Sequence, residues 1–528
     1  MVDQKYLNTL VKAAGWGLIG LMFSKVVSYL YRLVVARYMG PDVYGTLQLG
    51  IVALSFVGTV TVFSLSPAIK TFVPKHVRED DWAAVRGTVL SALAITGTLS
   101  ILGAALMYLG AGLIANRIFQ APQLTPVIQI FAFVVPFSNL STVVYSTIKG
   151  FKEVKYNVFL VTVLTSSVQL VATVILMLVG LDLLAAVYGW AAGVIIPLFI
   201  GIYILEKKIE PVFTRNVKPD MNFRELTSYS YPLLLSGMIG ELLGWADTFL
   251  IGYFMNETEV GFYNAALPTA AILMIPQKAL GQLTLESMSE KAHDREALSD
   301  TLKTLTRWNT AVVLPMFLLM ALFSREVIPL LFGKEYLSAA AALAILSFGK
   351  LYSASVGYIG DMLKAIEETQ IFWKNSVLSL ALNLGLNSIL IPGLKINGSF
   401  IVPELGITGA AIATTSSIII MQTVLLAEAY YYKGIIPFNR KTWKPVAASL
   451  AALAFTYTAI QLLFPSTTPL WVLVPGAAAF GLSYAFAFLL LGGIEEEDRN
   501  LMLDAAGRIG RREDARRTVD RLEKLALL

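Results

Sequence analysis

Cysteine is absent from the 528 residues, and histidine occurs only at His76 and His293. Without cysteine the chain has neither a disulfide framework nor a thiolate metal site. Both histidines fall in stretches expected to be loops, so no imidazole is available as a catalytic group within the apolar runs. No Gly-x-x-x-x-Gly-Lys-Ser/Thr phosphate loop occurs, and the chain carries no recognisable ATPase of its own. Charge is scarce as well. Asp, Glu, Lys and Arg make up 15% of the residues, against about 25% in a soluble domain.

What fills the chain instead is apolar sequence, 56% of all residues. A helix needs about 20 apolar residues to cross the roughly 30 Å hydrocarbon layer. Fourteen runs approach that length: 11–36, 44–68, 87–110, 125–147, 157–180, 183–205, 229–254, 261–284, 308–331, 340–363, 372–392, 406–432, 445–464 and 469–492. The expected fold is all-α and integral to the membrane, with about 14 transmembrane helices. The first run is too long, and lacks a small-residue cleavage site, to be a removable signal peptide, and is expected to stay as the first span. Lys and Arg accumulate on the cytoplasmic side of such proteins. Assigning loops alternately, 32 of the 41 Lys and Arg fall on one side and 5 on the other, with four inside the runs. A multi-pass protein of the cell membrane with both termini cytoplasmic is expected. The net charge of +5 is then topology, and no nucleic-acid partner follows from it.

The stretch "VVARYMGPDVYGTLQLG" (34–50) aligns without a gap on "LIGYFMNETEVGFYNAA" (250–266), 216 positions later. Met39 falls on Met255, Gly45 on Gly261 and Tyr38 on Phe254, with a short polar interruption at the same register. "TIKGFKEVKYN" (147–157) and "MLKAIEETQIF" (362–372) repeat more weakly at an offset of 215, matching Lys149 to Lys364 and Glu153 to Glu368. The offset covers six spans, an even number, so the copies run parallel about an axis along the membrane normal. The expected lobes are 1–206 and 225–432, joined by a charged linker at 207–224. Helices 13 and 14 follow at 433–493, then a charged tail at 494–528. In the tail Ala515, Val519, Leu522 and Ala526 recur at helical spacing among arginines. That pattern suits an amphipathic helix on anionic lipid, a solvated helix, or one packed on loops.

The turn "ARYMGPDVYGTLQL", the segment "ADTFLIGYFMNETEVGFYNAAL", and "NLGLNSILIP" followed by "ELGITGAAIATTSS" resemble the polysaccharide transporter family. Its members include Wzx-type lipid-linked oligosaccharide flippases, within a superfamily that also holds lipid II flippases and multidrug and toxin extruders. The resemblance covers about residues 10–432. It implies two lobes in a V shape, alternating access to a central cavity, and transport without an enzymatic step.

Charges inside the runs bear on the cargo, because an ionisable side chain near the bilayer centre costs about 2.5–3.5 kcal/mol on insertion scales and usually faces a cavity or a partner. Lys25 and Arg32 lie almost two turns apart on the first run, Lys278 on the eighth and Lys350 on the tenth. These four are candidates for binding an anionic head group, with outward snorkelling the alternative for Arg32. The offset carries Lys25 onto Glu241, giving either a gating pair or a permanent ion pair between helices. Glu241, Asp247 and Asp361 are the candidates for ion coupling or gating, and the resemblance adds weight to Asp247. Capping of the polar turn or pairing with a neighbouring helix is the alternative there. Asn383 and Asn387, at i and i+4, are expected to bond between helices.

An excess of deep cations suits a phosphate or pyrophosphate head group carrying sugars, since Lys and Arg bind phosphate through charge-assisted hydrogen bonds. The cargo expected is an oligosaccharide linked to a polyprenyl or dolichyl phosphate, moved from the cytoplasmic to the outer leaflet. No cofactor is expected beyond coupling to a Na+ or H+ gradient. Membrane lipids and glycan assembly enzymes are the candidate partners. A cation-coupled drug extruder would carry an acid-dominated cavity. A membrane polymerase or ligase would carry a polar external loop larger than 393–405.

Overall fold

The structure is a computed structural model that describes residues 4–368, 370–396, 399–463, 472–493 and 495. The expected tail helix lies outside the described residues. Ten helices among those described are long and apolar enough to cross a membrane, and a shorter apolar helix covers Pro475–Leu490. The chain is an all-α integral membrane protein.

The expected runs and these helices differ in part for local reasons. The first two runs are continuous in α1 (Gln4–Thr61), where two helices join across a kink at Gly40 with φ 83° and ψ 172°. The residue before a proline is pushed out of the α region, and glycine takes positive φ without a Cβ penalty, so Gly40-Pro41 sets the break. α2 (Leu65–Arg78), α3 (Trp82–Leu113), α4 (Leu124–Gly150), α5 (Val154–Val158), α6 (Thr165–Leu178), α7 (Leu183–Ile204) and α8 (Phe223–Phe254) follow. The eighth run is divided into α9 (Glu257–Ala270) and α10 (Ile275–Glu290) by a 3-10 turn at Ala271–Met274. Pro276 stands in the first turn of α10, where its missing N–H costs nothing. Then come α11 (Arg295–Leu322), α12 (Ser324–Phe332), α13 (Ala339–Val356), α14 (Tyr358–Ala365), α15 (Gln370–Leu390), α16 (Gly406–Lys433), α17 (Trp443–Leu463) and α18 (Leu473–Leu490). Between α15 and α16 the stretch pairs as an antiparallel hairpin, β1 (Leu394–Ile396) with β2 (Ser399–Val402). Only a loop was expected there, although Asn397-Gly398 between short apolar segments has the composition of a two-residue hairpin.

The chain forms two compact units. The first holds 1–265, 331–339 and 376–413, and the second holds 266–330, 340–375 and 414–528. The boundaries run through α9, α12, α13, α15 and α16, not through the linker expected at 207–224, because α8 packs on α1 and remains in the first unit.

Equivalent elements supply a core in each unit. In the first, Ile69 and Val73 of α2, Val85 and Val89 of α3, and Val144 and Ile148 of α4 are buried together. In the second, Met288 of α10, Leu298 and Leu302 of α11, and Ile359 and Met362 of α14 do the same. α3 and α11 also start alike. Asp81 accepts a hydrogen bond from the Ala84 N–H, and Asp294 accepts from the Glu296 and Ala297 N–H groups, satisfying amides that have no partner within the helix.

The repeated turn meets its own copy within the first unit. A Cβ on Gly45 would collide with the Glu257 carbonyl, and a Cβ on Gly261 would collide with the Pro41 carbonyl. Residue 45 is to 257 as 261 is to 41 under the 216-residue offset. The Thr258 hydroxyl donates to Asp42, and these two residues are themselves equivalent. The reciprocal contacts place the repeat axis between the two turns.

Candidate functional site

α8 carries a buried carboxylate. Asp247 is 7% exposed, and three side chains from two other helices donate to it. The Tyr263 hydroxyl of α9 is 2.6 Å from Oδ2, and the Asn383 and Asn387 amides of α15 are 3.1 and 2.8 Å from Oδ1. Asn383 and Asn387 are one helical turn apart and so share a face, which lets both reach one oxygen. Their amides also touch each other, Asn387 donating to Asn383 Oδ1 at 3.1 Å. Asn264 and Thr248 extend the polar cluster. Hydrogen bonds to an ionised carboxylate are roughly twice as strong as neutral ones, so the cluster ties α8, α9 and α15 together. The oxygen that remains is Asn387 Oδ1, buried without a partner. A carboxylate and an amide oxygen are two of the oxygen ligands that a small hard cation prefers, fewer than a full set.

The other candidates are dispersed. Arg32 is half-buried, with its guanidinium beside the hydroxyl of Tyr44. Lys25 is exposed on the same helix. Glu241 is half-buried and accepts from Trp245 Nε1 at 2.9 Å, so it makes no ion pair with Lys25 in this state. Lys25, Arg32, Glu241 and Asp247 belong to the first unit, and Lys278, Lys350 and Asp361 to the second. Lys278 is exposed on α10 and Lys350 half-buried on α13. Asp361 lies 3.2 Å from Lys364 in an i, i+3 ion pair, while Glu428 accepts from Asn375 at 3.0 Å.

Two features escaped the sequence. Tyr263 was read only as part of the repeated turn, and the asparagines were assigned to helix bonding without their partner. One signal was available: Asp247 has few acids near it in the apolar runs, and polar groups at i and i+4 on another run are the kind that would receive it.

A family model for polysaccharide biosynthesis proteins matches residues 8–341. The chain belongs to this family. Among its relatives, a probable low-salt glycan biosynthesis flippase of Haloferax volcanii is 28% identical over 52% of this chain and 55% of its own length. The chain thus matches only about half of that relative. An uncharacterized membrane protein of Methanocaldococcus jannaschii is 26% identical over 79% of this chain and 83% of its own. A putative O-antigen transporter of Shigella flexneri is 21% identical over 80% and 98%. Among solved structures, the inward closed conformation of the lipid II flippase MurJ superposes with a TM-score of 0.69 at 14% identity, covering 89% of this chain and 97% of that one. An inward-facing multidrug resistance MATE family transporter superposes with a TM-score of 0.63 at 12% identity, over 79% and 98%. At such identities the likeness is one of fold.

Proposed function

We propose that this member of the polysaccharide biosynthesis family is a flippase, which carries a lipid-linked oligosaccharide from the cytoplasmic to the outer leaflet of the cell membrane by alternating access. The observation that carries the reading is the family match over residues 8–341, in a chain with ten helices long and apolar enough to cross a membrane among its described residues. Relatives named as glycan biosynthesis flippase and O-antigen transporter point to the same substrate class. Lys25, Arg32, Lys278 and Lys350 are the residues proposed to receive the phosphate or pyrophosphate head group, with the lipid tail remaining in the bilayer. No enzymatic step is required of the chain, and glycan assembly enzymes are the proposed neighbours that supply the cargo.

Asp247 is proposed as the coupling site for Na+ or H+. Its carboxylate and the orphaned Asn387 Oδ1 fit a small cation, and a proton would compete for the same oxygens. Asp361 and Glu241 are weaker candidates, since both are less buried than Asp247 and Asp361 is already neutralised by Lys364.

The test is leaflet translocation of a labelled lipid-linked oligosaccharide by the purified chain in vesicles. Translocation above protein-free vesicles, and no efflux of cationic drugs, is the expected result. The reverse pattern would assign the chain to the drug extruders of the same superfamily.

A further inference from the structure

At the basic-loop end of the first repeat, two lysines stand together without an acid. α2 and α4 meet there through the hydroxyls of Ser66 and Ser146, 2.7 Å apart. They also meet at Gly150, where a Cβ would lie 3.1 Å from the Val73 side chain. Lys70 follows Ser66 by four residues and Lys149 follows Ser146 by three, so both leave the same seam on the same side. Both are exposed, and neither is paired with a described residue. The acids close in sequence are engaged elsewhere. Glu153 meets Lys155 at 3.6 Å and Glu79 meets His76 at 3.5 Å. Asp80 accepts from Trp82 Nε1 at 2.7 Å, and Asp81 caps α3. Partial burial pushes the Lys70 ammonium below its ordinary pKa, and the charge of Lys149 pushes it further the same way, as expected of like charges held close.

The second repeat builds the same seam from α10 and α14 and balances it. Under the 216-residue offset Lys70 becomes Glu286, and under the 215-residue offset Ser146 becomes Asp361 and Lys149 becomes Lys364. Asp361 pairs with Lys364 at 3.2 Å, and one of its oxygens lies 3.9 Å from where a Cβ on Gly281 of α10 would stand. At the positions where the second repeat's sequence carries two acids, the first carries a lysine and a serine. The first seam is therefore left with two uncompensated positive charges, which an anion with two or more negative oxygens would relieve.

We propose that Lys70 and Lys149 form a receiving site for the phosphate of a membrane-borne anion, at the basic-loop end of the first repeat and separate from the deep cations. Its identification with the cargo's head group rests on the flippase reading; the phosphate chemistry does not.

The test uses the full chain in nanodiscs of neutral lipid and three probes: a short-chain polyprenyl phosphate, phosphatidylglycerol, and inorganic phosphate. Binding is measured directly, and Lys70 is followed by amine acetylation and peptide mass spectrometry. Without a probe, Lys70 should react faster than Lys155 at mildly alkaline pH, and a bound phosphate should protect it. Lys149→Gln, and Lys70→Glu, which installs the acid of the second repeat, should each weaken phosphate binding by roughly tenfold or more, the scale of one charge-assisted hydrogen bond. Lys70→Arg should bind nearly as the parent does. Removing one of two exposed like charges relieves repulsion, so the variants are expected to fold, with gel filtration as the check. Protection by polyprenyl phosphate alone identifies the lipid carrier as occupant. Equal protection by phosphatidylglycerol identifies membrane phospholipid, and protection by inorganic phosphate shows that the head group suffices; each result upholds the site. Equal affinity of parent, Lys149→Gln and Lys70→Glu for all three probes overturns it. If the site binds but the chain moves no lipid-linked oligosaccharide, the flippase reading falls and the site stands.

Discussion

The scaffold is doubled, but the charges deep in its apolar runs are not. Asp247 is answered in the first repeat by Tyr31, Lys25 in the second by Glu241, and Lys278 in the first by Val62. Each function assigned to a charge therefore belongs to one repeat only. Asp247 and the asparagine pair were each legible as polar residues in apolar runs. Their convergence was not, because 136 and 140 residues separate them and the rotation of α15 about its axis is set by packing. Tyr263→Phe removes one donor to a carboxylate and little volume, so it should lower stability to chemical unfolding by about 1.5–3 kcal/mol. Asp247→Asn keeps the shape and removes the charge. Translocation driven by an imposed Na+ or H+ gradient should then fall to the rate without a gradient, and an unchanged response would take coupling away from this residue. Lys25→Gln and Arg32→Gln should each weaken head-group binding by roughly ten- to a hundredfold. Lys208→Gln in the linker is the control expected to change little.

Helices were legible and their joints only partly so. Hydropathy over about twenty residues reports what a segment is made of, and each expected run does contain helix. It does not report where a helix breaks, which is decided by one or two residues such as Gly40 and Pro41, or by the 3-10 turn ahead of Pro276. The crossing at Gly45 and Gly261 depends on such detail. At each glycine a methyl group would strike backbone, which cannot rotate away as a side chain can. Gly45→Ala and Gly261→Ala should both force the two turns apart. Because the chain has no cysteine, Asp42→Cys with Thr258→Cys gives a single reporter pair at the equivalent residues that touch. Oxidative crosslinking of that pair should be efficient in the otherwise unaltered chain and drop severalfold when either alanine is added. Undiminished crosslinking would mean that the close approach is not maintained in the membrane.

At the scale of the whole molecule, orientation rests on the 32-to-5 division of Lys and Arg, and the structure offers a check that composition cannot. Alternating assignment requires loops given to one side to meet one another. In the first unit Arg86 donates to the carbonyls of Phe213, Arg215 and Val217, and Thr71 bonds Tyr229 at 3.2 Å, all on the basic side. At the opposite end Arg37 reaches the Leu331 carbonyl and Gln123 reaches Glu257. In the second unit Arg307, Lys441 and Lys444 gather on Glu495 at 3.9, 2.9 and 2.8 Å. Sorting of this kind fails if a span has been invented or missed upstream, since every later loop would change sides. Reporter fusions after residue 528 and within 393–405 should therefore fall on opposite faces of the membrane, the first cytoplasmic. Adding arginines to the short 393–405 loop is a harder test. It sets the positive-inside preference against the packing of β1 and β2, and a folded chain should keep its orientation with lowered yield, not invert. Signals from both fusions on one face would mean an even number of spans between residues 405 and 528, breaking the alternation in that C-terminal stretch, where three are expected.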